Sequence, residues 1–207
     1  MSQSTGFFIT LEGSEGTGKS TALKFIQDYL IQAKKEYIVT REPGGTPIAE
    51  QIRQVLLAPG MDEAMVPETE LLLMFAGRVQ HIQHVILPAL KDRKWVICDR
   101  FVDASFAYQG SGRGIDESRI AWLENWLVPI RPDLTLLFDV PVSIGLERAK
   151  HRGTHDRIEQ EKIDFFERVR VGYLNRMKQD TNRFRLIDAT QSLEQVQIAI
   201  KKILDEI

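Results

Sequence analysis

Residues 13–21 read Gly13-Ser14-Glu15-Gly16-Thr17-Gly18-Lys19-Ser20-Thr21 and match the pattern G-x-x-x-x-G-K-[ST] at every fixed position. A loop of this kind has to hang between a buried strand and the start of a helix. Both flanks comply: Phe7-Phe8-Ile9-Thr10-Leu11 reads as a short strand and Thr21-Ala22-Leu23-Lys24-Phe25-Ile26 as a helix. The glycines let the backbone turn sharply and aim its N–H groups at phosphate oxygens. The helix that follows adds its positive N-terminal end. Lys19 is expected to reach the β- and γ-phosphates of a nucleotide, and the Ser20 hydroxyl to hold Mg²⁺.

The rest of the chain alternates in the same rhythm. Apolar runs at 7–12, 37–40, 95–99, 134–139 and 184–188 predict five buried strands. Between them, helical spacing covers 17–35, 49–58, 67–90, 117–127, 143–149 and 162–178, and 193–207 closes the chain with Ser192 as its cap. Alternating strands and helices predict an α/β fold, a five-stranded parallel sheet flanked by helices. Ligands bind such sheets beyond the carboxyl ends of the strands. Glu12-Gly13, Arg41-Glu42 and Asp99-Arg100 all follow strands and are expected to converge there. The segments 58–62, 109–114 and 150–156 read as mobile loops.

The 207 residues suit one domain, 1–207, with a lid at about 147–159. A net charge of −2 leaves no basic field for nucleic acid or an anionic membrane. No apolar run reaches membrane-spanning length, and Met1–Thr5 shows no secretory pattern. The single Cys98 suits a reducing compartment, so a cytoplasmic protein is expected. His81, His84, His151 and His155 are too scattered to form a metal site.

No Asn-Lys-x-Asp guanine reader, Asp-x-x-Gly switch or Leu-Ser-Gly-Gly-Gln signature occurs in the chain. Phosphoryl transfer to a small acceptor remains, and that reaction needs many cations because two polyanions must meet. Arg41, Arg53, Arg78 and Arg100 supply one set. Arg148, Lys150, Arg152 and Arg157 surround Gly153 as a flap would. Asp99, ending a buried strand, is a candidate for holding Mg²⁺ through water, and Glu12 for orienting metal-bound water or the acceptor. A kinase of some (deoxy)nucleoside monophosphate and a non-catalytic P-loop nucleotide-binding regulator both stay open at this point.

Five strings together resemble the bacterial thymidylate kinases along nearly the whole chain. They are Leu11-Glu12-Gly13 with the phosphate loop, Arg41-Glu42-Pro43-Gly44-Gly45-Thr46, and Phe75-Ala76-Gly77-Arg78. The other two are Asp99-Arg100-Phe101 with Ser105-Phe106-Ala107-Tyr108-Gln109-Gly110, and Asp156-Arg157-Ile158-Glu159. The resemblance implies transfer of the ATP γ-phosphoryl group to dTMP by a homodimer that uses Mg²⁺. It implies Arg100, helped by Arg53, on the dTMP phosphate, in a substrate pocket that also takes in Glu42 and Pro43. Phe75 would stack on thymine, Arg78 would bind its O4 edge, and Ser105 its N3 edge with Gln109 nearby. Tyr108 would pack under the deoxyribose and exclude a 2′-hydroxyl. Many relatives place the stacking Phe four residues before the Arg, where this chain has Met74. The phosphate loop carries no arginine, so the chain resembles the subtype whose lid supplies the catalytic cation. Arg152 is the first choice for that role, followed by Arg148 and Arg157.

Overall fold

The computed structural model describes residues 6–60, 62–150 and 156–207. Strands β1 (Phe8–Glu12), β2 (Tyr37–Arg41), β3 (Trp95–Asp99), β4 (Leu134–Asp139) and β5 (Phe184–Asp188) form one parallel sheet in the order β2-β3-β1-β4-β5. Asp99 lies in register with Leu11 on one side and Arg41 on the other. The carboxyl ends of β1, β2 and β3 are therefore level, and the polar strings that follow them meet at one rim.

Alternation along the central strands builds a core on each face of the sheet. Phe8, Val96 and Cys98 point into one, with Leu71, Phe75, Ile82, Ile86 and Phe101. Ile9, Leu11 and Ile97 point into the other, with Ala22, Ile26, Leu30, Leu136 and Phe138. A further cluster lies beneath the rim and includes Tyr108, Leu137, Ile158, Phe165, Phe166 and Tyr173.

The helices are α1 (Lys19–Gln32), α2 (Pro47–Leu57), α3 (Pro67–His81), α4 (Leu87–Lys91), α5 (Val102–Ser105), α6 (Glu117–Leu127), α7 (Val142–Lys150), α8 (Ile163–Gln179) and α9 (Leu193–Asp205). Their starts follow local chemistry. Thr46 Oγ1 accepts the Ala49 N–H ahead of Pro47, and Ser192 with Gln195 forms a reciprocal capping box.

Two sequence expectations need revision. The predicted helix 67–90 is continuous in direction but widens to a π-helical turn at Ile82–Ile86. Pro88 supplies the reason: it cannot donate to the carbonyl four residues back, and its ring crowds that carbonyl. The segment 109–114 is not a mobile loop. Its start belongs to a buried π-helical stretch, Phe106–Gly112, that continues α5. Gly112 and, across from it on α8, Gly172 allow close packing: a Cβ at Gly112 would lie 2.7 Å from the Phe165 ring, and one at Gly172 2.6 Å from Ser111 Oγ.

A buried ionic network fixes α5 just after the rim. Asp103 accepts from Arg176 Nε at 2.8 Å and from Arg183 Nη1 at 2.6 Å, and Arg176 also holds Glu124. Short α5 is thereby tied to α6, α8 and the entry of β5. Its position relative to the strand ends is set by tertiary contacts rather than by helix propensity.

Candidate active site

The phosphate loop runs from the end of β1 to α1 with Gly13, Gly16 and Gly18 all at positive φ. Gly16 has a second reason to lack a side chain, since a Cβ there would sit 1.8 Å from the Gly145 carbonyl of α7. Lys19 Nζ donates to the Gly13 and Ser14 carbonyls, each at 2.9 Å. The ammonium is thus folded onto its own loop, at the floor of a cleft that Glu15, Thr17, Ser20, Thr21, Asp99, Arg100 and Arg148 also line. Burial, with Arg100 nearby, lowers its pKa to about 8.

Asp99 Oδ1 is buried in this cleft and has no hydrogen-bond partner among the described residues. An orphaned carboxylate oxygen beside a serine hydroxyl is a hard-oxygen donor set of the kind Mg²⁺ takes. No group of three or more His, Cys, Asp or Glu among the described residues could hold a metal. An ion here fits the usual Mg²⁺ pattern of few protein ligands completed by water and phosphate oxygens.

The neighbouring cavity is lined by both polar and apolar residues. Among the polar ones Arg78 is 2% exposed. Its Nε donates to Glu42 Oε2 at 2.7 Å, Nη1 to Ser105 Oγ at 3.0 Å and Nη2 to the Phe101 carbonyl at 3.0 Å. Three of the five guanidinium N–H groups are thereby used, leaving two without a hydrogen bond among the described residues. Glu42 is joined to Pro43 by a cis peptide, and the Pro43 carbonyl accepts from Arg53 Nη1 at 2.7 Å. Gln109 lines the cavity and donates to Glu70 Oε1 at 2.8 Å. Leu57, Met74, Ala104 and Ile158 supply apolar lining, and Tyr108 lines the cavity as well.

Glu15 and Arg100 line both the cleft and the cavity. Arg100 Nη2 donates to Glu15 Oε1 and to the Tyr108 hydroxyl, the latter at 2.9 Å. Burial alone would raise the Glu15 carboxyl, but Arg100 and Lys19 outweigh it and hold the pKa down at about 2. Arg100 has φ of 66°, a left-handed conformation that a non-glycine residue adopts only under constraint. Its Nε is buried and has no hydrogen-bond partner among the described residues. A cation so placed, between two ligand spaces and with unspent donors, can bind groups from both at once.

Three expectations change on these positions. Phe75 does not line the cavity; it is 1% exposed in the core, and the Arg78 guanidinium packs on its ring at 4.8 Å. Fully burying such a side chain is worth roughly 1.5–3 kcal/mol, which keeps it inward. Met74, one residue earlier, faces the cavity. Glu12 lines neither space. Its Oε1 accepts the Phe101 N–H at 2.7 Å and its Oε2 the Tyr173 hydroxyl at 2.8 Å, so it braces the Arg100–Phe101 turn instead of facing the cleft. Arg157 donates to Glu70 Oε2 at 2.6 Å and to the Leu56 carbonyl at 2.9 Å, which ties it to α2 and α3 rather than leaving it over the cleft. Arg148 does line the cleft, though one donor goes to the Ala189 carbonyl. Arg152 lies outside the described residues.

Met74 stands at the stacking position by spacing, but sequence reasoning passes it over for the neighbouring aromatic, and it does not single out Glu70 and Tyr173 as partners of the site. Met74 was legible from its four-residue spacing to Arg78, which puts both on one helix face. Glu70 and Tyr173 carry no local signal, because their partners lie far along the chain.

Burial raises the Glu12 carboxyl to about 8, with Asp103 adding to the effect. The native state therefore holds a proton that an unfolded Glu releases near 4.5. A raised acid pKa makes wild-type stability fall as pH rises from about 4.5 to about 8. Glu12→Gln mimics the protonated form and is expected to lack the fall in stability that Glu12 contributes over that window. Melting curves of both proteins at pH 5, 6.5 and 8 check this, and parallel pH dependence would contradict it.

Comparison with known proteins completes the picture. The family model described as thymidylate kinase matches residues 11–200. A thymidylate kinase of Pseudomonas syringae pv. tomato is 55% identical over 204 residues, spanning 98% of this chain and 97% of that protein. One from Alcanivorax borkumensis is 53% identical over 203 residues, again 98% of this chain and 97% of its own. The crystal structure of thymidylate kinase from Ehrlichia chaffeensis superposes with a TM-score of 0.78 at 32% identity, covering 97% of this chain and 99% of that one.

Proposed function

The chain belongs to the thymidylate kinase family, and from that premise we propose how its two spaces divide the reaction. The enzyme transfers the γ-phosphoryl group of ATP to dTMP, giving dTDP and ADP. ATP phosphates occupy the cleft over the phosphate loop, and dTMP occupies the neighbouring cavity. The observation that carries this division is the shared wall: Arg100 and Glu15 face both spaces, so the two phosphates meet at one guanidinium.

An oxygen of the dTMP 5′-phosphate attacks the γ-phosphorus as the bond to the β–γ bridging oxygen breaks. The electron pair leaves with ADP. The acceptor needs no protein nucleophile or base, since a phosphate monoester with a second pKa near 6 is largely dianionic at pH 7. What the protein supplies is alignment and positive charge. Gly13 to Thr21 wrap the ATP phosphates, with Lys19 moving from its loop carbonyls to the β- and γ-oxygens. Ser20 and Asp99 would hold Mg²⁺, which when bound neutralises charge across the β- and γ-phosphates. Arg100 grips the transferring and accepting groups, and Arg53 approaches from the far wall. Arg148 stands over the cleft, and Arg152 is our proposed lid cation. We propose a single domain with its lid at about 147–159.

In the cavity, the two unspent Arg78 donors take the thymine O4 edge, and Ser105 and Gln109 face N3. Met74 serves as the apolar platform for the ring. Tyr108, 5% exposed and held by Arg100, fills the space beside C2′. Met74→Ala is expected to raise the KM for dTMP about tenfold at unchanged ATP KM, the scale of losing apolar contact with a ligand. Phe75→Leu should lower stability with little change in KM. Steady-state kinetics on both variants decide; the opposite pattern would return the platform to Phe75. Calorimetric titration tests the division of the site. Arg78→Ala should lose dTMP binding and keep ATP binding, and loss of both would refute separate spaces.

We also propose a homodimer through α3 and α6. Val66, Leu72, Trp122 and Trp126 are 55%, 58%, 61% and 67% exposed in this chain, and the two indoles pair at 5.1 Å. So large an apolar surface suits a two-fold self-contact, and sedimentation of a Trp122→Glu variant as a monomer would support it, whereas an unchanged dimer would not. Among the described residues no helix is long and apolar enough to cross a membrane. With its one cysteine buried and free, the protein suits the cytoplasm.

A further inference from the structure

We infer that His81, which touches neither ligand space, is a positioning residue that sets the base-reading pair Glu42–Arg78. The inference rests on the reading that Arg78 binds the 4-carbonyl edge of thymine. His81 ends α3 and is fully buried. Its Nδ1 lies 3.0 Å from Glu42 Oε1, and its Nε2 lies 2.6 Å from Thr40 Oγ1 at the end of β2. A carboxylate only accepts, so Nδ1 carries the proton toward Glu42 and Nε2 pairs with the Thr40 hydroxyl.

The consequence is a chain of fixed orientations. Thr40 sets the ring, the ring holds one oxygen of Glu42, and the other oxygen takes Arg78 Nε at 2.7 Å. Glu42 has no rotational freedom left, and it lines the cavity beside Arg78 while His81 and Thr40 stay behind it. The loop after Glu42 closes onto the same ring. Gly45 has φ of 89°, and a Cβ there would lie 2.5 Å from His81 Cδ2. The imidazole is therefore a wedge between β2, this loop and α3, and the guanidinium plane depends on it through Glu42 alone. Ser105 and the Phe101 carbonyl hold the other end of the guanidinium. Loss of the His81 bond frees Glu42 to turn and lets Arg78 pivot about those two contacts.

Two replacements separate orientation from packing. The amide nitrogen of Asn overlays imidazole Nδ1, and that of Gln overlays Nε2. His81→Asn therefore keeps the donor to Glu42, whereas His81→Gln keeps only the Thr40 side. Losing a buried hydrogen bond to a charged group corresponds to about tenfold or more in affinity. The expected result is a dTMP KM raised about tenfold in His81→Gln, and within about threefold of wild type in His81→Asn, with ATP KM unchanged in both. The preference for dTMP over dCMP should also fall about tenfold in His81→Gln alone, since a guanidinium donates to a carbonyl but not to an amino group. Equal behaviour of the two variants, or parallel losses in ATP KM and melting temperature, would overturn the inference. If His81→Gln does not fold, Thr40→Val removes the outer contact without changing the ring. A dTMP KM raised about threefold at constant ATP KM then supports the chain of orientations, and no change overturns it. A wild-type enzyme with no dTMP preference would instead overturn the reading of the cavity itself.

Discussion

Replacing Lys19 by alanine lowers kcat by at least ~10²-fold, the scale of removing one preorganised donor to developing charge. The ammonium lies at the floor of the cleft, and its hydrogen bonds among the described residues are to the loop's own Gly13 and Ser14 carbonyls and, at 3.4 Å, Thr17 Oγ1. Those contacts are exchangeable for phosphate oxygens without moving the backbone. Burial and Arg100 lower the Lys19 pKa to about 8 against an ordinary 10.5. A depressed lysine binds its proton less well folded than unfolded, so stability rises with pH between about 8 and 10.5, and below 8 the full cost of burying the charge is present. Lys19→Ala should therefore be no less stable than wild type at pH 7, and its lost turnover would not reflect unfolding. Single-turnover kinetics with saturating ATP, next to a melting curve, measure both. Turnover within a few-fold of wild type would remove Lys19 from the transfer step.

Arg100→Ala is expected to lower kcat/KM for dTMP by about 10³-fold, because one change removes the acceptor's grip and a cation at the transferring group. Arg100→Lys should recover little. A lysine offers a point charge, whereas Arg100 serves Glu15 and Tyr108 with one nitrogen and keeps other donors for phosphate. The direct affinity for ATP, measured by titration without acceptor, should change much less than kcat/KM. A loss below about tenfold in kcat/KM would show that the shared wall is not where the phosphates meet.

What the sequence disclosed divides by the range of the interactions involved. The phosphate loop and the five strands were legible because glycine spacing and apolar runs are local signals, and the level strand ends follow from parallel pairing. Phe75 misled because neighbouring positions on a helix differ by only about 100° in direction, and only the packed core shows that Met74 takes the cavity side. Glu12 misled because a residue next to a phosphate loop need not point at it. On a strand alternate side chains face opposite ways, and Glu12 faces Phe101 and Tyr173. Arg157 read as a lid cation because its partner Glu70 is 87 residues away in the chain. His81 carried no sequence signal at all, since its meaning depends on Thr40 and Glu42 meeting it from another element.

The most direct test of the central claim is ADP release with ATP and Mg²⁺, run in parallel with dTMP, dUMP, dGMP, dCMP, UMP and no acceptor. Fast turnover with dTMP, weak turnover with dUMP and almost none without acceptor is the predicted result. Equal or faster turnover with another monophosphate would contradict the assignment of the Arg78 cavity to thymine, and ATP loss independent of any acceptor would contradict phosphoryl transfer between the two spaces.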